Sequence, residues 1–348
     1  HEFEKFPNGV FEGDAYVDDD GIVDKPIYIR AKVIVQDGDV TVDLTGSDPQ
    51  RRGMMNSTFA MTYSAIAFPV RALLPPDLPT NDGFYRMVKL IAPPGTAINC
   101  TYPAAVVGGW EVGQKTAEAV LRAFSKAMPE RVPAESKKSI LHIAFGGVDP
   151  RSDEYYVFLE TNGGGFGARP NKDGVDAVQP ALQNAENSPI EETEIGYPVL
   201  LMKYELIPDS EGAGKFRGGL GLRRDYRYRD HEATVTILAD TAKFPPRGIY
   251  GGQDGRGAKY LLNPDTGNFR DVGSKATFDA GPTDIVSIQT PGGGGFGNAR
   301  ERDPQAVLDD VRGGKVSPAR AREVYGVAID TAAWEVDAAE TAGLRDNR

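Results

Sequence analysis

The residues with the most chemical potential lie between positions 160 and 222. The stretch opens Glu-Thr-Asn-Gly-Gly-Gly-Phe-Gly-Ala-Arg-Pro (160–170). It continues through Asn184, Asn187, Glu191, Glu192 and Glu194, and closes on a second glycine-rich run, 212–221. Gly163, Gly164, Gly165 and Gly167 could turn successive backbone N–H groups toward an anion. Arg169, just behind them, would add a two-pronged donor for a carboxylate, carbonate or phosphate. Two bland readings stand beside these. The glycines serve equally as a structural bend, and Arg169 could pair with Asp173 or Asp176 to hold the loop. Asn184, Asn187, Glu191 and Glu194 could orient a substrate amide, or could cap the turn at Pro189. Glycine packs nothing and costs backbone entropy, so its density here marks a place where another backbone or a ligand comes close. The stretch reads as the wall of a site or a subunit seam.

Other chemistry is poorly represented. The sequence has no phosphate loop of the Gly-x-x-x-x-Gly-Lys-Ser/Thr type and no His-Glu-x-x-His helix. Ser210 lacks the Gly-x-Ser-x-Gly surroundings of a hydrolase nucleophile. His1, His142 and His231 are far apart, and Cys100 is the single cysteine. Neither a disulfide framework nor a cysteine zinc site can be built, and a reducing, cytoplasmic setting is expected. Asp18, Asp19 and Asp20 lack the spacing of a calcium loop and read as a solvated turn. A net charge of −11 argues against a nucleic-acid surface. No apolar run reaches the ~18 residues of a membrane helix.

The elements that must position this stretch follow from periodicity. Alternation over 27–35 and 40–44, around the Asp37-Gly38 turn, predicts a hairpin. A helix is expected over 56–74, with a kink at Pro69. A short strand is expected over 85–91. Val112, Ala119, Val120 and Phe124 share one face of a helix over 111–128, with Lys115 and Glu118 on the other face. Strands are expected over 139–145, 154–160 and 196–206. A strand pair is expected over 223–229 and 234–238, and further strands over 260–262, 269–272 and 283–289. Helices follow near 304–311 and 318–325, and the tail 331–348 reads as loosely packed. Together these predict an α+β fold, rich in β, with mixed and antiparallel sheets. Three regions are expected: 1–138, 139–300 and a helical tail, 301–348.

Several motifs in order resemble the hydantoinase B/oxoprolinase family. They include Asp-Leu-Thr-Gly-Ser (43–47), the 160–170 run, Asn-Ala-Glu-Asn-Ser-Pro-Ile-Glu-Glu-Thr-Glu (184–194), the 209–221 run, and Thr-Pro-Gly-Gly-Gly-Gly-Phe-Gly (290–297). The resemblance spans about residues 6–328. It implies the B-type, non-ATP-binding subunit of an ATP-dependent enzyme that hydrolyses a cyclic amide. ATP with Mg would be bound by a partner A-type subunit, in a heteromer that is paired. A metal ion, Zn or Mn, would be held upstream in an N-terminal part of the B-type subunit, with no metal ligand in this chain. The first residue is His1 and not Met. The chain therefore resembles the C-terminal part of such a subunit, inactive when isolated. Arg169, Asp173 and Glu191 are then the expected catalytic residues, with the 163–167 loop, Asn184 and Asn187 around the substrate. One departure is Asp240-Thr241, where the family usually has Asp-Arg. Two alternatives remain open: a subunit of a biotin-independent ketone carboxylase, and a non-catalytic assembly subunit.

Overall fold

The computed structural model of the chain describes residues 1–346. The fold is α+β, with several antiparallel sheets. Strands β1 (Gly9–Val17), β2 (Ile27–Gln36) and β3 (Asp39–Asp43) form an antiparallel meander, and β4 (Val88–Ile91) joins β3 in parallel. Between β3 and β4 lie α1 (Phe59–Ala72) and the short α2 (Asp82–Arg86). Along β2, Ile27, Ile29, Ala31, Val33 and Val35 are buried and their neighbours are not, because alternate side chains leave a strand on opposite faces. That buried face is covered by α3 (Gly109–Ala127), with α1 packed against α3. The approach is close enough that a Cβ on Gly13 would lie 2.0 Å from the carbonyl oxygen of Ala119. Val42, Ile66, Val70, Val112, Val120 and Phe124 fill this first core.

The second core lies between two facing sheets. One has the order β11 (Arg270–Asp271), β10 (Lys259–Leu262), β13 (Ile285–Gln289), β8 (Leu222–Tyr228), β7 (Val199–Leu206). The other runs β12 (Lys275–Ala280), β9 (Ala233–Leu238), β5 (His142–Asp149), β6 (Glu154–Thr161). Phe145 of β5 meets Tyr226 and Tyr228 of β8 edge-on, with ring centroids 5.6 and 5.3 Å apart. A third, smaller core gathers Val307, Val311, Ala321, Tyr325 and Val327. These come from α5 (Pro304–Arg312), α6 (Pro318–Glu323) and the segment after it. Asp303 and Ser317 cap these two helices, each followed by a proline at the first helical position.

Several expectations need correction. Residues 223–229 and 234–238 are strands, but β8 and β9 do not pair: the chain turns at Asp230, with φ of 52°, and crosses to the facing sheet. The 85–91 strand begins only at Val88, because Asn81 caps α2 ahead of it. Strand β12 and α4 (Ile190–Gly196) are additions to the expected elements. Asp18 and Asp20 are buried, and their carboxylates accept backbone N–H groups of Ala242 and Lys243, and of Ile22, Val23 and Gly53. The tail contains a short strand pair, β14 (Ile329–Asp330) with β15 (Glu335–Val336), and α7 (Ala338–Asp346). Arg345 of α7 donates to the carbonyls of Tyr325 and Arg302. No helix among the described residues is long and apolar enough to cross a membrane.

The glycine-rich runs meet in a layer between the three cores. Phe166 N–H donates to Val175, Gly219 N–H to Phe166, Gly293 N–H to Gly219, and Gly212 N–H to Gly293. Gly295 N–H donates to Gln253, and Gln253 N–H to Ala213. Extended backbones lie side by side with no room for side chains between them. A Cβ on Gly165 would stand 2.1 Å from both Gly219 O and Gly293 N.

Candidate functional site

Helix α3 carries two faces that are both buried. Its apolar face lies on β1 and β2. Glu111, Gln114, Lys115 and Glu118, at spacings of three and four, share a side of the helix. The expected solvent face is therefore an interior one: Lys115 is 0% and Glu118 4% exposed. The cover includes the segment 133–140 and the corner after β9. Glu111 Oε1 accepts the Ile140 N–H at 2.8 Å, and Lys115 Nζ lies 2.8 Å from Asp240 Oδ1 and 2.8 Å from Thr241 Oγ1. Thr241 thus stands where the resemblance leads one to expect arginine, and a lysine from α3 meets it.

Around this stripe is a knot of ionisable groups. Asp240 also takes Lys275 Nζ at 2.9 Å and the N–H groups of Asp18 and Thr241. Burial alone would raise the Asp240 carboxyl, but Lys115 and Lys275 outweigh it and hold the group well below the carboxylate range. Asp18 is pushed up to about 6 by burial and by the charge of Asp240. Glu111 rises to about 7 by burial and the same charge. Glu118 rises to about 8, by burial and then by Glu135. Glu135 goes the other way, to about 2: Lys138 and Arg247 overcome its burial, with Arg247 Nε at 2.7 Å. Burial pulls Lys137 down to about 7; its ammonium donates to Asn162 O and to Gln179 Oε1.

Glu118 also lines a cavity of about 260 Å³. Its apolar wall includes Phe68, Leu73, Leu121, Pro133 and Phe166, and Arg131 and Arg169 bring cations to it. Arg169 Nη2 donates to the carbonyl of Asp173 at 2.7 Å, and its guanidinium lies 5.7 Å from the centre of the Phe166 ring. Its Nε is buried and has no hydrogen-bond partner. A small apolar body with one good acceptor fits such a space.

The structure does not gather all the residues singled out from the sequence. The 163–167 loop is part of the glycine layer. Its N–H groups at Gly164, Gly165 and Gly167 go to Val178 O, Pro291 O and Ser136 Oγ, so they do not face an anion. Arg169 holds the carbonyl of Asp173, while Arg302 grips the Asp173 carboxylate through both oxygens, at 2.7 and 2.8 Å. Burial would raise that carboxyl; Arg302 and Arg217 keep it below its ordinary value. Glu191 sits in the first turn of α4 and is exposed, as is Asn184. Asn187 donates to Glu160 Oε2 and Thr161 O at the end of β6. Sequence reasoning misses Glu118, Lys137 and Asp240 as site residues. The available signal is the match between Glu111, Lys115 and Glu118 on one helix and Glu135, Lys137 and Lys138 in one short segment.

No group of three His, Cys, Asp or Glu among the described residues is placed to hold a metal ion. The described residues likewise offer no cradle of free N–H groups for a nucleotide phosphate in the glycine run.

A family model, hydantoinase B/oxoprolinase, matches residues 1–299. The putative B-type subunit of a D-/L-hydantoinase from Pseudomonas sp. (strain NS671) is 33% identical over 354 residues, covering 98% of this chain and 59% of that protein. The crystal structure of ATP-dependent caprolactamase from Pseudomonas jessenii superposes with a TM-score of 0.88 at 29% identity, over 99% of this chain and 61% of the other. The nucleotide-free structure of acetone carboxylase superposes with a TM-score of 0.84 at 21% identity, over 99% and 53%, a likeness of fold. The chain spans about three fifths of the length of the hydantoinase polypeptide and the caprolactamase chain. On the match to residues 1–299, together with these alignments along nearly its whole length, this chain belongs to the hydantoinase B/oxoprolinase family.

Proposed function

We propose that the chain is the B-type, non-ATP-binding portion of an ATP-dependent enzyme that opens a small cyclic amide. The observation that carries this reading is the end-to-end match to a B-type hydantoinase polypeptide and to the caprolactamase structure. In this reading ATP with Mg belongs to an A-type partner, and a Zn or Mn ion belongs to the B-type polypeptide that this chain does not span. Both would sit in a paired heteromer, and the isolated chain would be inactive. The donor sets of this chain do not fit either group, so its contribution to the reaction rests on its own side chains.

Opening an unstrained amide places negative charge on the carbonyl oxygen as water adds. Donors fixed in a water-poor site stabilise that charge without reorganising. Arg169 has the geometry for such a donor. Its far end is pinned on Asp173 O and on the Phe166 ring, and its Nε–H has no acceptor. The apolar wall supplied by Phe68, Leu73 and Leu121 excludes water and takes the hydrocarbon part of the ring. Asp173 acts at one remove, orienting the segment that holds Arg169. Glu191, Asn184 and Asn187 lie toward β6 and α4, and in this reading serve a seam with a partner chain.

The test is a reconstituted assembly offered hydantoin, 5-oxoproline and caprolactam with ATP. The expected result is ring opening with stoichiometric ADP release. Arg169→Ala is expected to lower kcat/KM by about 10²–10³; a loss within threefold would remove Arg169 from the site. ADP release with stable incorporation of labelled bicarbonate into a ketone, and no ring opening, would replace the hydrolase reading with the carboxylase one. Intact turnover after substitution of Arg169, Asp173 and Glu191 together would leave an assembly role.

A further inference from the structure

We infer that the cavity between α1, α3 and Phe166 is a binding site for a small apolar monocarboxylate, held by Arg169 and guarded by Glu118. This deepens the reading above by naming a ligand class for the same cavity, and it is testable without ring-opening activity.

Three observations converge. First, the cavity is of small-molecule size and its walls are mostly hydrocarbon. Its occupant is therefore compact and apolar over most of its surface. Second, a guanidinium nitrogen is buried there without a partner. Such a donor loses its hydration and gains nothing until an acceptor arrives, and a carboxylate oxygen is the strongest acceptor of matching geometry. Arg169 cannot swing away, because Nη2 is held by Asp173 O and the plane lies by Phe166. Third, the charge balance inside the cavity is positive. Arg131 and Arg169 line it, and the single acidic lining residue, Glu118, is nine-tenths buried. Burial and the neighbouring Glu135 push that carboxyl up to about 8, so at neutral pH it is a neutral O–H donor.

The groups that face Glu118 come from three elements. Lys115 lies on its own helix; Glu135, Lys138 and the Ser136 N–H lie on the 133–140 segment; Arg131 and Arg169 lie across the cavity lining. Glu135 is ionised throughout the range of interest. Raising the pH therefore changes the cavity chiefly by ionising Glu118, which sets a second carboxylate against an incoming one.

The experiment titrates the intact chain with cyclopentanecarboxylate and with the isosteric cyclopentanecarboxamide, by calorimetry and ligand-observed NMR, at pH 6.5 and pH 9. The carboxylate is expected to bind at least tenfold tighter than the amide at pH 6.5, with that advantage shrinking at least threefold at pH 9. Glu118→Gln is expected to abolish the shrinkage, and Arg169→Gln to abolish the preference. Leu121→Trp, which fills the cavity without touching the ionic contacts, is expected to abolish binding of both probes in a chain of unchanged circular dichroism. Equal affinities, no binding to the folded wild type, or a preference that survives Arg169→Gln would each overturn the inference. Carboxylate binding with no ring opening in the reconstituted assembly would uphold the site and refute the hydrolase reading, so the two can fail separately.

Discussion

Lys115→Met isolates what the buried knot contributes. Lys115 and Asp240 are both fully buried, 2.8 Å apart. At an effective dielectric of ~20 their attraction is about 6 kcal/mol, part of which offsets their desolvation. Breaking such a pair by removing one partner typically costs about 3–5 kcal/mol. Asp240 keeps Lys275 at 2.9 Å and two backbone N–H donors, so the low end, about 3 kcal/mol, is expected at pH 8. The cost should depend on pH. Asp18, pushed to about 6 in the wild type, is next to Asp240 and is itself restrained by Lys115. Without Lys115 its folded value climbs further. A carboxyl raised on folding favours the folded state least at high pH, so the variant loses stability as pH rises from Asp18's unfolded value through its new folded one. Urea unfolding at pH 5.5 and pH 8 measures both effects, with a smaller deficit expected at pH 5.5. A deficit under about 1 kcal/mol, or one equal at the two pH values, would refute the account of the knot.

Three further outcomes are expected. Glu118→Gln should be more stable than wild type by on the order of 3–5 kcal/mol at pH 8 and close to it at pH 5, because a group raised from 4.5 to about 8 makes the wild-type fold lose stability across that interval; parallel urea curves at both pH values would contradict this. Gly165→Ala places a methyl 2.1 Å from two backbone atoms and should cost more than about 3 kcal/mol or prevent folding, whereas Gly267→Ala meets nothing within 4 Å and should stay within about 0.5 kcal/mol, both read by thermal unfolding. Asp173→Asn weakens the double grip of Arg302 and should cost about 1–3 kcal/mol; hydrogen exchange by mass spectrometry should accelerate in α5 and leave β2 unchanged.

Local regularities are legible where one face decides the structure. The 27–44 hairpin, α3, α5 and α6 follow from periodicity, the Asp-Gly turn and Ser or Asp caps ahead of proline. The second face of α3 misleads. A helical moment says that Lys115 and Glu118 lie opposite Val112 and Phe124, and is silent on whether water or protein covers them. The cover comes from 133–140 and from Asp240, more than a hundred residues away from Lys115 in the latter case, and such long-range charge matching has no local signature. The crossing at Asp230 escapes for the same reason: proximity in sequence favours a hairpin, and only the full set of strand partners sends β9 to the other sheet. In the 160–222 stretch, Arg169 stands out by its position behind the glycines. Its neighbour Asp173 is gripped by Arg302, a partner 129 residues on.

The glycine layer also sets how this protein responds to temperature. When an ordinary core unfolds, apolar surface meets water and heat capacity rises; when peptide groups are exposed, it falls. Around Gly165, Gly212, Gly219 and Gly293 unfolding releases backbone amides and almost no hydrocarbon. The heat-capacity increment of the whole chain should therefore lie below the usual ~12–15 cal/mol/K per residue. A smaller increment flattens the stability curve. The seam that joins the three cores is the part of the molecule whose grip changes least between cold and warmth, because it relies on amides meeting amides and hardly at all on water being driven away.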